Sequence, residues 1–180
     1  MVLTDDLVNN GFSLQDAGKD DLERYIDIKR ACCKKYVDEY NGGWIEDIQV
    51  IINTDSFYRM QKYSCFQKVL LHDEVTGFFA YNEHADRISE ISLQLMEDVR
   101  NKGIESFYLS HITSLSKDTD KPIFFNVYKS DPIQEIYKKF GFKIYDQSRT
   151  HFLMSFNQND TNGINNTNNT RSYLNRICLK

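Results

Sequence analysis

Between Ile88 and Leu95 the chain alternates strictly, with Ser89, Ile91, Leu93 and Leu95 on one side and Ile88, Glu90, Ser92 and Gln94 on the other. A period of two belongs to a strand. Soon afterwards, from about Gly103 to Ser116, apolar residues recur at helical spacing, and "KPIFFNVY" then reads as another strand. A strand that turns straight into a helix and is followed by a strand forms a crossover, which requires a mixed α/β sheet.

The remaining elements fit around that unit. "FSLQ" (Phe12 to Gln15) is a short first strand. Asp20 and Glu23 have capping-box spacing, and Leu22, Tyr25, Ile26, Cys33, Tyr36 and Val37 then follow a helical period. Gly42 and Gly43 break that helix, and a second begins near Ile45. "FQKVLLH" and "GFFAYNE" read as a hairpin joined by "DEVT". After "KPIFFNVY", Asp131 is placed as N-cap with Pro132 at the first helical position, and Gly141 ends that helix. "FKIYD" and "THFLMSF" are the last strands. The expected order is β-α-α-β-β-β-α-β-α-β-β: one α/β (α+β) domain over residues 1–156 with a mixed, mostly antiparallel sheet flanked by helices. Residues 157–180, "NQNDTNGINNTNNTRSYLNRICLK", are asparagine-rich and read as a flexible tail whose N-x-T sequons reflect composition.

Composition narrows the function. A net charge of −4 and no basic patch argue against nucleic-acid binding. No window approaches the roughly 18 apolar residues of a membrane span, and the acidic N-terminus does not look like a signal peptide, so a cytoplasmic location is expected. Cys32, Cys33, Cys65 and Cys178 show no metal-ligand spacing, and the four histidines show no HExxH, so no metal is expected.

The turn "VRNKGIE" joins the alternating strand to the helix. A helix N-terminus carries free N–H groups and about half a positive charge. With Gly103, Arg100 and Lys102 it suits a phosphate or pyrophosphate, although neither GxxxxGK[ST] nor GxGxxG is present. A solvated basic turn would look the same.

Two motifs separate these readings. "NVYKSDPIQEIYKKFGF" (Asn126 to Phe142) resembles the last segment of the GNAT N-acetyltransferase family, a strand, "NPA", and a helix ending "LYekLGF". Asp131-Pro132-Ile133 stands for "NPA", Ile136-Tyr137 for "LY" and Phe140-Gly141-Phe142 for "LGF". "RNKGIE" is similar to the family's acyl-CoA loop, R/Q-x-x-G-x-G/A. The resemblance covers about residues 10–156 and implies an enzyme that moves an acetyl group from acetyl-CoA, as cosubstrate, to a primary amine. It implies that Arg100, Asn101, Lys102, Gly103, Ile104, Glu105 and Ser106 bind the pyrophosphate. It further implies a fourth strand that carries a bulge and splays from the fifth, so that Leu93, Gln94 and Leu95 receive the pantetheine arm. Asp131 lies near that arm, and Tyr137 corresponds to the general acid.

Glu105 stands where the family has Gly or Ala, facing the pyrophosphate or pointing away along the helix, and Asp131 replaces Asn. Glu90, five residues before Leu95 on the face of Gln94, is either a general base or a solvated strand residue. Asp38, Glu39 and Tyr40 are either an acceptor-binding group or helix-end surface residues. The acceptor is expected to be a small metabolite, polyamine or peptide amine, and the acidic balance favours a cationic one. Homodimerisation near the last strands is a further implication of the resemblance. The alternative is a catalytically degenerate GNAT-fold module that binds CoA or a protein partner.

Overall fold

The computed structural model describes residues 1–63 and 65–157. In chain order the elements are α1 (Asp5–Asn9), β1 (Phe12–Asp16), α2 (Leu22–Tyr40), α3 (Glu46–Tyr63), β2 (Cys65–Leu71), β3 (Glu74–Glu83), β4 (Ile88–Leu95), α4 (Ile104–Thr119), β5 (Ile123–Tyr128), α5 (Ile133–Lys139), β6 (Lys143–Gln147) and β7 (His151–Phe156). The strands form one sheet in the order β1-β2-β3-β4-β5-β7-β6. Every pairing is antiparallel except β4 with β5. This is the mixed, mostly antiparallel architecture expected from the sequence. The asparagine-rich segment lies, from residue 158 onward, outside the described residues.

Phe78 and Phe79 on β3 show how the sheet separates two cores, because neighbouring side chains of a strand point to opposite faces. Phe78 packs with Tyr25, Ile28, Phe57 and Phe66 beneath α2 and α3. Tyr25 meets Phe78 and Phe66 edge-on at 5.3 and 5.8 Å, a geometry that contributes about 0.5–1.5 kcal/mol per pair beyond area burial. Phe79 faces the other way and stacks on Tyr108 of α4 at 4.6 Å. Ile104, Ile112, Ile123, Tyr137 and Phe142 complete that second core, beneath α4 and α5.

Four local features differ from the sequence reading. The helix α1 was not anticipated. It is a single short turn of helix with one buried residue, Leu7, too brief to show a period. The hairpin turn falls on His72-Asp73, both at positive φ (50° and 69°), so Glu74, Val75 and Thr76 belong to β3 rather than to the turn. A two-residue turn with both residues left-handed matches strand twist. A 3-10 turn, Lys19–Asp21, leads into α2; Asp21 Oδ2 reaches back to accept the Gly18 N–H at 2.7 Å, and no side-chain cap bond forms at the start of α2 itself. Lys68 holds the same carboxylate at 2.9 Å. Finally, α3 runs to Tyr63, further than the pattern alone indicated.

The strand β4 is bent where the site forms. Ala80 pairs with Ser92, but Asn82 pairs with Ser89, so β4 carries an extra residue there. Glu90 takes the strain of this bulge at φ 54°, a left-handed conformation uncommon outside glycine. β4 pairs with β5 at a single position, Ile88 with Ile123. Beyond it the two parallel strands diverge.

Candidate active site

The divergence exposes a particular set of backbone groups. Met96 N–H donates to Thr76 C=O at 2.9 Å, which makes Leu95 and Gly77 a non-hydrogen-bonded pair. The N–H and C=O of Leu95 therefore point away from β3, toward the gap left by β5. With the alternation of the ladder, Leu93 points the same way, whereas the backbone of Gln94 pairs with Phe78. Of the three residues expected to receive an extended ligand, two offer their backbone. Gln94 instead buries its side chain, whose Nε2 donates to the Ser92 hydroxyl at 2.8 Å while Oε1 has no partner.

Gly77 explains how β4 reaches this position. A Cβ there would lie 2.5 Å from the Gln94 carbonyl oxygen and 2.5 Å from Leu95 Cδ2. Only glycine lets the two strands approach so closely.

The turn after β4 contributes charge and curvature. Asn101 and Gly103 have positive φ (60° and 92°), and α4 begins directly after Gly103. Arg100 turns back, and its Nε donates to the Leu95 carbonyl at 3.0 Å. The Cys32 thiol of α2 donates to the same oxygen at 3.3 Å. Lys102, Gly103 and Ser106 face outward and line an open cavity of about 400 Å³ against Thr4 and Leu7. Ile104 is buried in the core. Glu105 does not point away along the helix. It is buried, and its Oε1 accepts the Asn101 N–H at 2.9 Å.

Asp131 caps α5 by accepting the Ile133 N–H at 3.0 Å. It lies close to two tyrosines. Burial first, and Asp131 second, hold the Tyr36 hydroxyl of α2 above the ordinary tyrosine value, with Arg100 opposing. The same two causes raise Tyr137 on α5. Tyr137 packs edge-on against Phe125 at 4.7 Å and Phe142 at 5.8 Å. It also neighbours Tyr108, whose hydroxyl donates to the Ala80 carbonyl at 2.5 Å, opposite the bulge. Cys32 and Arg100 thus meet at the Leu95 carbonyl, Tyr36 lies within electrostatic reach of Arg100 and Asp131, and Tyr137 within reach of Asp131.

Glu90 occupies the bulge itself, and its carboxylate lies 3.6 Å from the Arg59 guanidinium of α3. The acidic end of α2 is engaged in packing contacts. Asp38 pairs with Lys34 and accepts the Trp44 N–H, and Glu39 accepts the Ser130 hydroxyl at 2.6 Å. Tyr40 and Tyr36 both stack on Tyr128. Sequence reasoning missed Cys32 and Tyr36 as site neighbours. Tyr36 was visible only as a helical-period position, and nothing in a period shows which distant residue its hydroxyl meets. Among the described residues no group of three or more His, Cys, Asp or Glu is placed to hold a metal ion, and no helix is long and apolar enough to cross a membrane.

No family model and no curated protein matches the chain. Solved structures do. The PaiA N-acetyltransferase from Thermoplasma acidophilum in complex with coenzyme A is similar over 80% of this chain and 97% of its own, with 19% identity and a TM-score of 0.62. An acetyltransferase from Streptococcus agalactiae covers 81% and 97%, with 11% identity and a TM-score of 0.63. Ard1 from Thermoplasma volcanium covers 81% and 97%, with 18% identity and a TM-score of 0.58. The chain has the fold of the GNAT N-acetyltransferases.

Proposed function

We propose that the protein is an acetyl-CoA-dependent N-acetyltransferase acting on a primary amine. The observation that carries this reading is the divergence of β4 from β5, which leaves Leu93 and Leu95 with no strand paired to them on the gap side, the Leu95 carbonyl being held by Arg100 and Cys32. An arm containing amide groups would add to that edge as an extra strand. The start of α4 and Lys102 supply a positive end for phosphates, while Arg100 is turned to the Leu95 carbonyl. These residues fit acetyl-CoA except at Glu105.

When bound, acetyl-CoA supplies the thioester carbonyl that the amine attacks. In this reading the Leu95 N–H donates to that carbonyl oxygen and stabilises the charge that develops on it. The Tyr137 hydroxyl, kept protonated by burial, donates toward the leaving sulfur. An alkyl ammonium, with a pKa near about 10.4, must lose a proton before attack. Glu90 is the candidate acceptor of that proton, directly or through water, and would have to part from Arg59 to act. The acceptor reaches the gap from the α2 and α3 side and is a small metabolite, polyamine or peptide amine.

The experiment is thiol release from acetyl-CoA across a panel of polyamines, amino acids and short peptides. Release that depends on one amine class supports the enzyme. Binding of acetyl-CoA without release for any amine favours the second reading, a GNAT-fold binding module. One observation favours that second reading: the Glu105 carboxylate already holds an amide of the turn.

A further inference from the structure

One amide of the turn between β4 and α4 is already taken by a carboxylate of the chain's own. Asn101 and Gly103, both left-handed, curve the backbone into the concave form that holds anions. The anion found there is the Glu105 carboxylate, 2.9 Å from the Asn101 N–H and buried to 6% exposure. A phosphate entering the same concavity would lose that N–H and would meet a buried negative charge, which repels it more strongly than an exposed one. Nor is the turn's nearer cation turned to compensate. Arg100 directs Nε to the Leu95 carbonyl and Nη2 to the Cys32 sulfur at 3.6 Å. Lys102 stands exposed on the outer side.

We propose that Glu105 is a specificity-determining residue that replaces the donor's pyrophosphate in its own loop, so that the acyl donor is recognised chiefly through its pantetheine arm. This rests on the donor site proposed above. It implies that a pantetheine thioester without the nucleotide binds nearly as well as acetyl-CoA.

The test is calorimetric titration of acetyl-CoA and of acetyl-pantetheine into the wild-type protein, Glu105→Ala and Glu105→Gln. The glutamine variant keeps the size and an acceptor for Asn101, and a thermal melt shows that each variant is folded. The wild type should bind the two thioesters within about threefold of each other. Both substitutions should tighten acetyl-CoA by about tenfold or more and leave acetyl-pantetheine within about twofold. An unchanged ratio of the two affinities in both variants overturns the proposal while leaving the donor site standing. Absence of binding by either thioester to all three proteins overturns the donor site, and the proposal with it.

Discussion

Arg100 donates from Nε to the carbonyl of Leu95, five residues earlier, at 3.0 Å. The bond ties the end of β4 to the turn that follows it. Sequence reasoning assigned Arg100 to a phosphate, but the structure uses it first to hold the strand end whose N–H faces the gap. The guanidinium is exposed, so solvent screening limits its contribution to about 1 kcal/mol. Arg100→Ala should therefore lower the melting temperature by about 2–4 °C. It should weaken acetyl-pantetheine as well as acetyl-CoA, because the strand edge loosens for both. Weakening confined to acetyl-CoA in paired titrations would show that Arg100 serves the phosphates instead.

Gly77 offers a sharper probe of the same edge. The Cβ of an alanine would sit 2.5 Å from the backbone oxygen of Gln94, and a backbone atom cannot swing aside. Gly77→Ala should cost about 1–3 kcal/mol, read from the denaturation midpoint, and should reduce donor binding. Unaltered stability would contradict the close approach of β3 and β4 at Gly77.

Tyr137→Phe separates chemistry from packing. The phenyl ring keeps the edge contacts with Phe125 and Phe142 and loses only the hydroxyl. Turnover should fall by about 10²-fold with donor affinity unchanged. Because burial raises the wild-type hydroxyl above 10.0, this group should add no alkaline fall in rate below that pH. Equal turnover by the variant would remove Tyr137 as the acid.

Stability should depend on pH through two histidines. Burial lowers both His111 and His151 below the ordinary value of 6.5. The unfolded chain then binds protons that the folded chain refuses, so stability is full above 6.5 and falls as pH drops through the lowered folded values. Urea midpoints should decrease from about pH 7.5 to about pH 5.5. The decrease should shrink in His111→Gln combined with His151→Gln. A midpoint that is flat in the wild type would contradict the burial of both rings.

What was legible in the sequence follows from what periodicity can encode. The alternation from Ile88 to Leu95 reads as a strand, whereas the burial of both faces of the sheet, with Phe78 and Phe79 on opposite sides, emerged only in the structure. The bulge was not legible from the residues, because Glu90 rather than glycine takes the left-handed position. His72-Asp73 was missed as a turn for the same reason. The splay of β4 from β5 is a property of pairing between distant segments, and only the resemblance suggested it. The direction of Glu105 was open at the sequence level and settled by one hydrogen bond, to Asn101.

The most direct test is an acetyl-CoA titration of isotope-labelled protein, followed through its backbone amide resonances. The donor site predicts saturable shifts at the Leu93 and Leu95 amides, which face the gap, and smaller ones at Gln94, whose amide bonds Phe78. Saturating acetyl-CoA that leaves Leu93 and Leu95 unmoved would contradict it.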